Sequence, residues 1–255
     1  MDDLSADQNL IQGNGTRLEA WKASRSLANT PCIDPQQVRS SFERLVVVAP
    51  HPDDEILGST ALLSTLLGEE QRLLMIAVTD GEASHPDSQD WSPDALRQQR
   101  PLESRHALER LGLRSEHIVW DRLGLPDSEA ASGIDQLEAH LRMTLRPHDT
   151  VLTTWRHDGH CDHEAVGQAC ARVTEEKGLP LIEVPLWAWH WADPEDARLP
   201  WSRARKVPLS NECLQRKRAA IAAHATQLAP QGEQPAVLTQ ATLQRLLQPF
   251  ELIFI

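Results

Sequence analysis

Tyrosine is missing from this chain and cysteine is scarce: 255 residues include no tyrosine, three phenylalanines and four cysteines. Without a phenol, no site here can use one as a proton donor. Cys32, Cys161, Cys170 and Cys213 form no C-x-x-C pair. Their spacing suggests neither a disulfide framework nor a structural zinc cluster. No apolar run reaches the ~18 residues that span a bilayer. The opening stretch "MDDLSADQNL" is acidic and polar, without the apolar segment of a secretion signal. Together these absences predict a cytoplasmic protein with no membrane span. Positive charge is also short, 25 Lys and Arg against 37 Asp and Glu, for a net charge of −12. A duplex or a membrane surface repels such a chain on average, so nucleic acid is excluded as the expected partner. The basic runs "RARK" (203–206) and "QRKR" (215–218) read as solvated surface. No G-x-G-x-x-G or G-x-x-x-x-G-K-[ST] follows the first apolar run, which removes the usual nucleotide-phosphate cradle.

What is present is a rhythm. Residues 1–40 read as a polar N-terminal extension with one amphipathic stretch at 16–27, and residues 41–255 as one domain. "RLVVVA" (44–49) is a continuous β-branched run of the kind buried on both faces of a sheet. Helical periodicity follows over 55–69. Further strands are predicted at 72–82, 117–120, 149–155, 181–189 and 250–255, and helices at 92–113, 133–145, 162–178 and 211–228. Ser-Pro-Asp at 92–94 is a helix start, and Gly112 a stop. Strands alternating with helices predict a single α/β domain, Rossmann-like, with a mostly parallel sheet and helices on both faces. In such sheets functional groups gather beyond the carboxyl ends of the strands.

Two polar clusters fall at that edge. "HPDDE" (51–55) lies where the first strand meets the first helix. One acid there is explained by helix capping, but His-Pro-Asp-Asp-Glu is not. An imidazole and a carboxylate converging from one turn are a ligand set for zinc and related divalent metals. "WRHDGHCDHEAVG" (155–167) follows the fourth predicted strand and packs His157, Asp158, His160, Asp162 and His163 into seven residues. Both loops open on the same edge of the sheet, so the two half-sites together predict a metal centre.

These motifs resemble the LmbE-like or PIG-L-type zinc-dependent N-acetylglucosaminyl deacetylases, whose pattern is a strand, [AP]-H-P-D-D-E, and a distant H-P-D-H opening a helix. Here they read "PHPDDE" (50–55) and "HCDH" (160–163). The resemblance covers about residues 43–230. It extends through Arg100, Glu103, Ala107, Leu111 and Gly112 to "LGLPD" (123–127), and then through Lys217, His224 and Gln227, with Thr226 in a serine position. It implies that His51, Asp54 and His163 bind one Zn2+ per chain and that Asp53 is the general base. It further implies that His160 stabilises the oxyanion with Asp162 behind it, and that Arg100 and His224 bind substrate. The implied partner is a small N-acetylated amino sugar conjugate, hydrolysed at its amide. Two departures stand out: Cys161 replaces the proline of H-P-D-H, and a tyrosine proton donor used by some members has no counterpart.

Two other readings compete. A metal-dependent phosphoesterase also uses histidines and carboxylates, but normally with two metals. A metal-binding partner domain without activity would not need Asp53. The run "VPLWAWHWADP" (184–194), read as part of a strand, places Trp187, Trp189 and Trp191 on one face, either as packing or as an aromatic wall for substrate.

Overall fold

A computed structural model of the chain describes residues 11, 13–86, 88–230 and 235–255. The strands are β1 (Arg44–Ala49), β2 (Leu73–Thr79), β3 (Val119–Leu125), β4 (Asp149–Thr154), β5 (Leu181–Val184), β6 (Ala204–Pro208) and β7 (Phe250–Phe254). The α-helices before β3 are α1 (Leu18–Ala23), α2 (Arg25–Asn29), α3 (Pro35–Arg39), α4 (Asp54–Leu57), α5 (Thr60–Ser64) and α6 (Pro93–Leu111). After β3 come α7 (Ile134–Thr144), α8 (Cys161–Lys177), α9 (Ala188–Trp191), α10 (Asn211–Ile221), α11 (Ala225–Leu228) and α12 (Gln240–Leu246).

The seven strands form one sheet in the order β3-β2-β1-β4-β5-β7-β6. The first five are parallel, while β7 runs antiparallel to both β5 and β6. The chain starts at β1, winds outward to β3, and then returns to β4 on the other side of β1. The strand order therefore reverses between β1 and β4, and a crevice opens beyond their carboxyl ends. Period-2 alternation splits β1 between two cores: Leu45 and Val47 pack with Ile56, Leu62, Leu108 and Leu111, whereas Val46 and Val48 pack with Leu137, Leu141, Val166 and Val173. Helices thus cover both faces, as the alternation of elements predicts. Ser92 caps α6 through the Ala95 amide, and Gly112 ends it at φ 107°. Among the described residues no helix is long and apolar enough to cross a membrane.

Four local predictions are corrected. The helix expected over 55–69 is broken into α4 and α5 at Gly58–Ser59, because the Glu251 carboxylate from β7 accepts the Thr60 and Ala61 amides. The strand expected over 181–189 stops at Val184. Pro185 has no amide for a ladder, and the Asp158 carboxylate gathers the next three, from Leu186, Trp187 and Ala188, into the turn that opens α9. The helix expected over 211–228 breaks after Ile221, and α11 follows. "QRKR" is not wholly a solvated surface, since Lys217 is fully buried. Elsewhere β3 runs on to Leu125, an edge strand too exposed to show as an apolar run, and β6 and α12 had no sequence signal.

The N-terminal residues pack on the body. Trp21 is buried against Trp189 at 4.7 Å between ring centroids and donates its indole N–H to Trp189 O. Thr16 donates its amide to His190 O and its hydroxyl to Ala192 O. Arg245 of α12 donates to Asn14 O and Thr16 O. The carbonyl end of α9 is therefore capped by the N-terminal segment.

Candidate metal centre

β1 delivers its last residue, Ala49, to the mouth of the crevice, and Pro50–Asp53 turn the chain into α4. β4 does the same for the loop that ends in α8. Asp53 occupies φ 133°, a conformation rare for a residue with a side chain. Its amide donates to Glu55 Oε2 at 2.9 Å. At the second loop His160 caps α8, its Nδ1 accepting the Asp162 amide at 3.2 Å. Cys161 takes the first helical position, where the related pattern has proline.

The two loops meet around Asp54. Its Oδ2 lies 3.3 Å from His51 Nδ1 and 3.3 Å from His163 Nε2. A tetrahedral zinc site with Zn–N and Zn–O bonds of 2.0–2.1 Å has neighbouring ligand atoms about 3.3 Å apart. The two Asp54 spacings fit such a site. His163 Nε2 is buried and has no hydrogen-bond partner, so its ring presents a free donor atom to the same point. The imidazoles of His51, His160 and His163 also bring one nitrogen each within 4.8 Å of one another.

Behind each imidazole stands a carboxylate. His163 Nδ1 is 2.8 Å from Asp158 Oδ2, and His51 Nε2 is 3.0 Å from Asp162 Oδ2 and 3.3 Å from Asp127 Oδ1. This pairing fixes the ring orientation and leaves the opposite nitrogen for a metal. Asp162 is itself held by the amides of Ser128 and Ala130. Its carboxylate therefore supports His51 rather than His160, correcting the expected pairing: the loop after β3 places Ser128 and Ala130 where they turn it toward His51.

The protonation balance follows from this crowding. Burial opposes charge on His163, but Asp54 and Asp158 raise its pKa to about 9. Burial likewise opposes charge on His51, and Asp127, Asp162 and Asp54 carry it well above its usual value. A cation would take the place of those protons. Asp54 is held well below the carboxylate range: burial raises it, and His163 and His51 overcome that effect. Burial raises Asp53 to about 8 against the pull of Arg100. His160 falls to about 3, first through burial and then through the charge on His163 and His51. It is a neutral imidazole.

The cavity at the site measures about 200 Å3 and is lined by His51, Asp53, Asp54, Arg100 and His160 among others. Arg100 is buried. It donates to Gly81 O and Pro52 O and lies 3.5 Å from Asp53. Gly81 makes room for it: a Cβ there would stand 1.8 Å from Arg100 Nη1, and its φ is +71°. Glu103 accepts from the amide and hydroxyl of Thr226. His224 is fully buried, with both ring nitrogens unpartnered, and is not among the residues lining the cavity. His157 is exposed and packs on Trp155.

Sequence reasoning named Asp158 in the second cluster without a role, offered Trp187 only as one of three tryptophans in packing or in a substrate wall, and gave no role to Asp127 or Gln227. Asp127 lies in "LGLPD" and Asp158 in the His/Asp-rich run, so both were visible without their partners. The three tryptophans do not share a face. Trp189 packs on Trp21, Trp191 stacks on Trp155 at 6.4 Å, and Trp187 stacks on His160 at 6.5 Å and 23° and lines the cavity.

A family model described as PIG-L, GlcNAc-PI de-N-acetylase, matches residues 46–174, about half of the chain, including the loops that follow β1 and β4. The chain belongs to the PIG-L family. It is 27% identical over 176 residues to the 1D-myo-inositol 2-acetamido-2-deoxy-alpha-D-glucopyranoside deacetylase of Kineococcus radiotolerans; the match covers 55% of this chain and 48% of that protein. This PIG-L chain therefore spans about half the length of that relative. Its fold is similar to that of a triple-mutant deacetylase of the teicoplanin biosynthetic pathway (TM-score 0.63, 19% identity, 83% of this chain and 96% of the other). It is also similar to the zinc-inhibited form of a teicoplanin deacetylase (TM-score 0.58, 18% identity, 83% and 97%). At such identities the likeness is one of fold.

Proposed function

We propose that this PIG-L protein is a zinc-dependent N-deacetylase that hydrolyses the amide of an N-acetylated amino sugar conjugate. One Zn2+ per chain is held by His51, Asp54 and His163. The observation that carries this reading is the position of Asp54 Oδ2, 3.3 Å from each imidazole donor, with each ring backed by a carboxylate. Family membership supports the reaction class. A zinc ion in that position acts as a Lewis acid toward water and the amide carbonyl.

The chain's own groups supply the rest. Asp53, adjacent to a ligand and lining the cavity, would be ionised once a divalent cation offsets the burial that raises its pKa, and then takes a proton from the attacking water. It keeps that proton beside the scissile nitrogen and returns it to the leaving amine, so no phenol is required. His160 has Nδ1 occupied as an acceptor, so its neutral tautomer carries hydrogen on Nε2. That N–H stabilises the oxyanion. Arg100, Asp127, Ser84 and Gln227 form a polar wall suited to sugar hydroxyls; Gln227 Oε1 has no partner within the protein. Leu57, Leu186, Trp187, Leu238 and Leu246 form the facing apolar wall, which suits the rest of the conjugate.

A phosphoesterase is disfavoured because the additional carboxylates are already engaged: Asp158 and Asp162 bind histidines and backbone amides. An inactive partner domain leaves Asp53 without a task. The test is metal-stripped protein, with and without added Zn2+, assayed for amine release from N-acetylated sugars and glycoconjugates and for phosphate release from phosphoesters. Zinc-dependent amine release alone is expected. Phosphate release, or amide hydrolysis indifferent to metal, would contradict the proposal.

A further inference from the structure

Lys217 is a fully buried charged side chain, and the chemistry above assigns it no part. Its Nζ donates to Glu251 Oε1 and to Leu57 O, both at 2.7 Å. Glu251 in turn accepts the amides of Thr60 (2.9 Å) and Ala61 (2.8 Å). In an unbroken helix the Ala61 amide would bond to Leu57 O, four residues back. Here that one bond is opened, and its two halves are taken by the two members of an ion pair. Glu251 receives the donor and Lys217 satisfies the acceptor. The opening is where α4 ends and α5 begins.

The opened helix is the one that carries the metal-binding turn. α4 is a single turn, Asp54–Leu57, with Asp53 immediately before it at φ 133°. Thus Lys217 grips the last carbonyl of the turn whose first residues are the base and a metal ligand. Gly58 fixes the break from the other side: a Cβ there would lie 2.2 Å from Val184 Cγ1 on β5. A continuous helix over 54–64 would have to change the orientation of this turn against β1 and β5. The two side chains arrive from α10 and β7, far from the turn in sequence, so the restraint is tertiary.

We propose that Lys217 and Glu251 are a positioning pair for the metal-binding turn, holding α4 apart from α5 so that Asp53 and Asp54 face the two histidines. The proposal rests on the zinc reading of the site. A buried ion pair can often be replaced as a unit by neutral side chains of similar volume without loss of stability, whereas removing one partner alone is strongly destabilising. This separates positioning from folding. In the double variant Lys217→Met/Glu251→Gln, the glutamine on β7 keeps one acceptor oxygen, enough for one of the two α5 amides, while the grip on Leu57 O is lost.

The experiment compares wild type, Lys217→Met and the double variant by thermal melting, zinc affinity in a chelator competition, and kcat and KM for an N-acetylated sugar conjugate. The expected result is a double variant that still melts cooperatively, with a modest fall in midpoint for the α5 amide left unpartnered, and whose folded form binds zinc about 10- to 100-fold more weakly and loses kcat by a similar factor at little-changed KM. A folded double variant with wild-type zinc affinity and kcat overturns the proposal, as does a loss in either variant that matches its unfolded fraction. A wild-type protein that takes up no zinc overturns the metal reading itself, and this proposal with it. Intact wild-type binding with an unaffected double variant overturns the pair alone.

Discussion

Replacing Asp158 by Asn should separate metal binding from folding. The Asp158 carboxylate is fully buried and accepts four hydrogen bonds: from His163 Nδ1 at 2.8 Å and from the amides of Leu186, Trp187 and Ala188 at 2.9 Å each. Asparagine retains one acceptor oxygen. If that oxygen serves the α9 amides, its NH2 group faces His163 Nδ1, and the ring must present a lone pair there. The ring proton then moves to Nε2, the atom 3.3 Å from Asp54 that should bind zinc. At least one amide also loses its partner, at a cost of about 1–3 kcal/mol. The expected result is a modest fall in the urea midpoint together with zinc affinity lower by about 10- to 100-fold. Asp158→Ala should be worse in stability, by roughly 3–9 kcal/mol, because it strands three amides. Chelator competition and urea titration on the same samples give both quantities. Wild-type zinc affinity in Asp158→Asn would refute the claim that Asp158 sets the His163 tautomer.

Three further outcomes are expected. Trp21→Ala should destabilise the protein by about 3–5 kcal/mol in denaturant titration, as for other buried tryptophans; a change below about 1 kcal/mol would mean that the N-terminal segment is not part of the folded body. Gly81→Ala forces a Cβ to within 1.8 Å of Arg100 Nη1 at φ +71°, so it should raise KM through displacement of Arg100 while zinc content stays at wild type. Glu70, held by the Arg114 guanidinium and backbone amides, has its pKa lowered from 4.5 to about 2. Its stabilisation is complete above the unfolded-state value and is lost as pH falls from about 4.5 to 2. Allowing for screening at half-exposed Arg114, it contributes about 1–2 kcal/mol, and Glu70→Gln should flatten acid unfolding over that interval.

The sheet and the convergence of the two His/Asp loops were legible because their signals are local. "RLVVVA" shows continuous burial, Ser92 and Gly112 bound α6, and "HPDDE" and "HCDH" concentrate ligand chemistry in short runs. The missed features are those set by distant partners. Nothing within 55–69 reveals that Glu251 will take the Thr60 and Ala61 amides, so the periodicity there predicts one helix instead of two. Nothing within 181–189 reveals that Asp158 will gather three amides and turn a strand into α9. For the same reason strand alternation puts the tryptophans on one face, and the pairing of Asp162 with His160 that the resemblance implies gives way to His51, more than a hundred residues away. The edge strands β3 and β6 are short or silent in the sequence because partial exposure dilutes the apolar pattern.

The most direct measurement of the central claim is Asp53→Asn, assayed for zinc stoichiometry and for amine release. Asp53 makes no contact closer than 3.5 Å to Arg100 through its carboxylate among the ion pairs of the site, while His51, Asp54 and His163 remain in place. The account predicts one zinc per chain, as in wild type, with amide hydrolysis reduced by about 100- to 10,000-fold. Zinc bound at wild-type level with hydrolysis undiminished would contradict it.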